Sequence, residues 1–160
     1  MTTLRLRDVW NNPVSCLAFG FGSGLMPKAP GTWGTVAAMP LYWIMSFLSW
    51  PVYAILTCVF FAIGVFVCGK AARDLGVHDD SRIVWDEIVG YLCTLFLAPK
   101  GLIWMLLGFG LFRLFDIWKP QPIRWLDARV HGGLGIMIDD VVAALFAWCV
   151  LQLLIWGVAS

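Results

Sequence analysis

The chain has 160 residues, of which 61% are hydrophobic, 15% aromatic and 13% charged, with a formal net charge of +1. The charged share is about half the usual ~25% of soluble domains; a domain of this length cannot bury so much apolar surface, so lipid is the expected solvent for part of it. The near-zero net charge gives no basis for nucleic-acid binding, and length alone predicts one domain over residues 1–160.

Residues 1–12 form a polar arm with Arg5, Arg7 and Asp8, and no short apolar run ends in the small-residue cleavage site of a signal peptide. Residues 13–21 are apolar but too short to span. Glycines and prolines crowd residues 20–35 with no apolar period, which reads as a loop. Thr32 or Thr35 stands where it would cap the helix that follows. Residues 36–50 are the first apolar run. At ~1.5 Å per residue they cover about 22 Å, against a hydrocarbon core of about 30 Å, and Pro40 favours a kinked or incomplete span.

Residues 52–69 make a cleaner span, and 70–85 are a charged loop with Lys70, Arg73, Asp74, His78, Asp79, Asp80 and Arg82. Residues 86–98 return to apolar character, and Pro99-Lys100-Gly101 is a turn. Residues 102–118 are apolar, with Arg113 and Asp116 near their end. The second charged loop, 119–140, holds Lys119, Arg124, Asp127, Arg129, His131, Asp139 and Asp140 before a last uncharged span at 141–159. The expected architecture is an all-α, polytopic membrane bundle with about four to five membrane-embedded helices.

With a cytoplasmic N-terminus, one face receives Arg5, Arg7, Lys28, Lys70, Arg73, Arg82, Arg113, Lys119, Arg124 and Arg129, and the other only Lys100. That asymmetry predicts the orientation by the positive-inside rule. It also puts every acidic residue on the cytoplasmic side, so an active site is expected on that face. Cys16, Cys58, Cys68, Cys93 and Cys149 show no CxxC spacing, so they predict neither a zinc site nor a disulfide framework.

Two acidic pairs, Asp86-Glu87 and Asp139-Asp140, each stand at the start of an apolar run. Carboxylates near membrane depth are costly unless paired or bound to a cation. The plain alternative is a solvated helix end, where the dipole favours acids. Two such pairs on one face make an oxygen-rich site suited to Mg²⁺. Asp74 and Asp79 are further candidate ligands or bases, with a helix cap as the plain alternative for Asp79. Arg113 and Asp116 are spaced as an i,i+3 pair, which leaves Lys119 free to reach a phosphate, while Arg124 and Arg129 reach a phosphate or anionic headgroups. The 27–35 segment offers backbone N–H groups at a helix start, a weak anion signal by itself. His78 and His131 are isolated and read as structural or surface residues. No Ser-His-Asp arrangement, GxSxG elbow or HExxH motif is present.

Three segments together carry a resemblance: Gly22-Ser23-Gly24 through Pro30-Gly31-Thr32-Trp33-Gly34-Thr35; Asp79 through Ile83-Val84-Trp85-Asp86-Glu87-Ile88-Val89-Gly90; and Phe115-Asp116-Ile117-Trp118-Lys119-Pro120 through Gly135-Ile136-Met137-Ile138-Asp139-Asp140. In this order they resemble the bacterial phosphatidylglycerophosphatase A family. The resemblance implies an all-helical protein of the bacterial inner membrane that uses Mg²⁺ to remove the terminal phosphate of phosphatidylglycerophosphate. It implies acidic motif residues at Asp79, Asp86, Glu87, Asp139 and Asp140, and matches Asp116 and Lys119 to the family's Asp-x-x-Lys-Pro. On this reading Glu87, Asp86, Asp139 and Asp140 are metal ligands. Thr32, Thr35, Lys119 and Arg124 bind substrate. Asp79 or Asp86 orients or deprotonates water, Asp116 and Lys119 complete the catalytic set, and an aspartyl-phosphate route stays open. The alternative is a small ion- or proton-coupled transporter using the same carboxylates, which would want its charges near mid-span.

Overall fold

The computed structural model describes residues 10–77 and 80–159. Among them every regular element is a helix: α1 (Pro13–Ala18), a 3-10 segment (Gly20–Leu25), α2 (Pro30–Met45), α3 (Trp50–Leu75), α4 (Trp85–Thr94), α5 (Leu102–Trp118), α6 (Ile123–Asp127) and α7 (Gly132–Ala159). The arm at residues 1–9 and the candidates His78 and Asp79 lie outside the described residues.

Local chemistry sets the helix ends. Asn12 caps α1 by accepting from Val14 N at 3.0 Å, with Pro13 in the first turn. Pro51 opens α3, and Gly76 closes it at φ 68, a left-handed position that costs glycine little. Lys119 ends α5 at φ 44, with Pro120 behind it to prevent continuation.

The Pro-Gly-Thr segment is not the expected loop. From Pro30 onward it is the first half of α2, which runs through Pro40 to Met45. Pro30 suits the first turn because its φ is already helical and its missing N–H is not needed there. Neither threonine caps the helix: Ala29 holds the N-cap position, and the Thr35 hydroxyl donates to Gly31 O at 2.9 Å within the helix. The glycines make room for a neighbour. A Cβ on Gly34 would stand 2.6 Å from Val84 Cβ.

α7 likewise starts seven residues before Asp139, so the second acidic pair lies about two turns inside a helix rather than at its mouth. Its glycines are a contact surface: a Cβ on Gly133 would meet Val65 O of α3 at 1.8 Å. The short helix α6 falls inside the expected 119–140 loop.

α4 and α7 form the centre. α7 packs along α3, α4, α5 and α6, and α4 also packs against α2, α3 and α5. Tyr91, Leu92, Phe112, Met137, Ala144 and Leu151 are fully buried between them. The Trp85 indole at the start of α4 donates to Phe60 O of α3 at 3.0 Å. Val84 N donates to Ala18 O of α1 at 2.9 Å. These two bonds fix where the α4 N-terminus points.

Among the described residues two helices, α3 and α7, are long and apolar enough to cross a membrane. Large apolar side chains point outward along them, Phe66 at 62% and Leu153 at 67% exposure. So continuous an apolar exterior belongs in lipid, not water. At ~1.5 Å per residue, α2 and α5 reach only about 24–26 Å and α4 about 15 Å.

Candidate active site

The charged residues collect at one end of the bundle. α4 begins with Trp85-Asp86-Glu87, so both carboxylates sit in its first turn, where the dipole favours anions. α7 supplies Asp139 and Asp140, and the end of α5 supplies Arg113, Asp116 and Lys119. Together with Asp127 of α6 and with Pro30 and Gly31 at the start of α2, they line a cavity of ≈ 350 Å³.

Asp86, Glu87 and Asp140 each offer an oxygen within 4.8 Å of the other two. Asp86 and Asp140 are 8% and 3% exposed. Glu87 Oε2 and Asp140 Oδ2 are buried and accept no hydrogen bond. Asp139 lines the same cavity but is turned to Lys119. Its Oδ2 accepts from Lys119 Nζ at 2.7 Å.

Arg113 pairs with Asp116 through Nη1, as the i,i+3 spacing predicts, and the same nitrogen lies 3.8 Å from Glu87 Oε1. Its Nε is buried without a hydrogen-bond partner. Lys119 departs from expectation. It is not free, because its ammonium is shared between Asp139 at 2.7 Å and Asp127 at 3.2 Å. The left-handed backbone at Lys119 swings its side chain off the α5 face and toward α6 and α7.

Of the residues expected to bind substrate, only Lys119 lines the cavity. Thr35 is buried with its hydroxyl spent on Gly31 O, Thr32 is half-buried, and Arg124 is exposed on α6. Arg113 and Asp127 are lining residues that were not among the sequence-derived candidates. Arg113 was legible as a partner of Asp116. Asp127 gave no signal, since nothing in the spacing joins it to Lys119. His131 is exposed on the loop before α7, as expected of a surface residue.

Among the described residues six carboxylates line the cavity (Asp86, Glu87, Asp116, Asp127, Asp139 and Asp140) against two cations, Arg113 and Lys119. Electrostatics follow. Burial first, then the charge of Asp140, push the Glu87 carboxyl up from 4.5 to about 8. For Lys119, burial pulls the ammonium down, but the hydrogen bond and charge of Asp139 outweigh it and hold it above its ordinary value. Such a cavity can hold a hard cation on oxygen ligands, or an anion if a cation accompanies it.

Fold and site define a class: a helical, membrane-type protein with a buried carboxylate cluster and two cations at one end of its apolar helices. Comparison with known proteins narrows it. The profile described as Phosphatidylglycerophosphatase A matches residues 16–155. Phosphatidylglycerophosphatase A of Escherichia coli K12 is 49% identical over 138 residues, covering 86% of this chain and 80% of that protein. The Haemophilus influenzae Rd protein of the same name is 49% identical over 138 residues, covering 85% of each. No solved structure matches the chain. The chain belongs to the phosphatidylglycerophosphatase A family.

Proposed function

We propose that the chain is a lipid phosphatase that hydrolyses the terminal phosphate of phosphatidylglycerophosphate to give phosphatidylglycerol and inorganic phosphate. The observation that carries this reading is the cluster of Asp86, Glu87 and Asp140 beside Arg113 and Lys119, at the end of membrane-length helices in a chain of this family. A phosphate monoester on a lipid would meet that cluster where headgroups lie.

The cluster fits Mg²⁺. Its donors are hard carboxylate oxygens, two of which are buried with no hydrogen bond to satisfy them, and the surplus of carboxylate over cation is charge that a divalent ion would balance. Asp86, Glu87 and Asp140 would hold the ion; Asp139, turned to Lys119, would act through that lysine. When bound, Mg²⁺ supplies Lewis-acid neutralisation of phosphate oxygens. Arg113 and Lys119 add positive potential where charge develops on the phosphoryl group. A cavity carboxylate, with Asp86 as the described candidate, orients the attacking water and takes its proton, which passes to the glycerol oxygen as that oxygen's bond to phosphorus breaks.

We read the site end as cytoplasmic and the location as the inner membrane. The described cations Lys28, Lys70, Arg73, Arg82, Arg113, Lys119, Arg124 and Arg129 belong to that end, and only Lys100 to the other. Exposed tryptophans support membrane placement: Trp43, Trp50 and Trp156 ring the far end, and Trp33, Trp118 and Trp125 the site end, as interfacial belts do. On that placement α2 and α5, capped by tryptophan at or near both ends, are embedded with α3 and α7, and α4 lies among them. An ion pathway finds less support, since residues 50–69 of α3 and 141–159 of α7 carry no charge.

The test is phosphate release from phosphatidylglycerophosphate in mixed micelles by the purified chain. Release with Mg²⁺ and its loss in EDTA are expected. No release with Mg²⁺ supplied overturns the phosphatase reading, and release unchanged by EDTA overturns the metal.

A further inference from the structure

Two cations line the cavity among the described residues, and their surroundings assign them different tasks. Lys119 has three N–H donors and is already bound to two carboxylates on two other helices, Asp139 of α7 and Asp127 of α6. It clamps the end of α5 to both. Arg113 has five donors, yet Asp116 and Glu87 both meet the same nitrogen, Nη1. The Glu87 contact, at 3.8 Å, is an ion pair too long for a hydrogen bond. The Nε–H on the other edge of the guanidinium is buried and has no hydrogen-bond partner, on a residue that lines the cavity. A buried donor left unmade is expensive, and one at a functional cavity calls for an explanation such as a catalytic role or a bound partner.

We infer that the phosphate anchor of this site is Arg113, through its Nε–H edge, and that Lys119 is a positioning residue held by Asp139 and Asp127. The inference rests on the lipid-phosphatase reading for its substrate and names the side chain that holds that substrate's phosphate. The Nε–H and the adjacent Nη–H of an arginine form a planar fork that matches two oxygens of a phosphate, a geometry lysine cannot reproduce. Asp116 and Glu87 hold Nη1 and so fix the plane of the fork. Gly31 packs on the held edge, where a Cβ would stand 3.1 Å from Arg113 Nη1 and 2.1 Å from Glu87 Oε1. The same first turn of α2 lines the cavity and turns its positive end to it.

The test uses inorganic phosphate as probe, on the full chain in detergent micelles with Mg²⁺ present. In protein labelled with ¹⁵N-arginine, one Nε–H resonance should move on phosphate titration, and it should be the one missing from Arg113→Lys. Arg113→Lys should weaken phosphate binding about tenfold or more, the scale of one lost charge-assisted hydrogen bond, and Lys119→Gln should weaken it less while lowering the melting temperature. The wild-type titration keeps the test decisive if Arg113→Lys fails to fold. No moving Nε–H signal at saturating phosphate overturns the assignment, as does a Lys119 variant that loses more phosphate affinity than the Arg113 variant. These readouts need no turnover. A chain that shifts the Arg113 signal yet releases no phosphate from lipid fails the phosphatase reading and keeps the anchor.

Discussion

A Cβ on Gly31 would stand 2.1 Å from Oε1 of Glu87. The first turn of α2 therefore presses on the carboxylate that α4 brings to the acidic cluster, and only glycine leaves that carboxylate where it is. Gly31→Ala should push Glu87 aside and lower kcat/KM by about a hundredfold, the scale for a misplacement of ~1 Å at a reacting centre. Steady-state kinetics with a melting curve check it. Wild-type kinetics in Gly31→Ala would show that Glu87 has slack to move.

The α3–α7 crossing predicts a different response. Gly133 approaches Val65 O so closely that a methyl would overlap backbone, which cannot swing away as a side chain can. Gly133→Ala should cost about 1–3 kcal/mol of stability, as overpacking does. The melting temperature reads this. An unchanged melting temperature would mean that the two helices separate easily.

The metal-free protein should lose stability as pH rises. Glu87 in the folded chain keeps its proton up to about 8, whereas its ordinary value is 4.5. Between those values the folded state binds the extra proton, and stability falls with pH wherever the folded state binds more protons. In EDTA the melting temperature should drop from pH 5 to pH 8, and Glu87→Gln should flatten that slope. Mg²⁺ needs the carboxylates deprotonated, so its affinity should rise across the same window. A melting temperature that climbs with pH in EDTA would contradict the buried cluster.

Much of the fold was open to reading, and the exceptions have physical causes. Residues 102–118 match α5 end to end because a turn, an apolar run and a Lys-Pro stop all agree there. The acidic pair at 86–87 sits in a first helical turn as its apolar downstream run predicts. The Pro-Gly-Thr segment misled because its glycines signal turns locally, whereas here they serve close approach to Val84, Glu87 and Arg113. The start of α7 was hidden in the same way by Gly132, Gly133 and Gly135. α6 has five residues, too few for any period to show, and with it went Asp127 and the true partners of Lys119. Pairings across the fold, such as Lys119 with Asp139, are set by packing that spacing does not encode.

Orientation is testable by labelling in a cysteine-free background. Lys100→Cys, beside Phe47 at the far end of the bundle, should react with an impermeant reagent added outside intact cells. Arg124→Cys, exposed on α6 at the site end, should react only after permeabilisation. The reverse pattern would put the cavity outside.

The most direct measurement compares wild type with Asp140→Asn for phosphate release from phosphatidylglycerophosphate at saturating Mg²⁺. The substitution keeps the shape of the side chain and removes the charge. Metal polarisation of a phosphoryl oxygen is worth several kcal/mol, and ~1.4 kcal/mol is a factor of ten in rate, so the folded variant should be slower by about a hundredfold or more. A folded Asp140→Asn that turns over like wild type would contradict a carboxylate-held metal at the centre of this site.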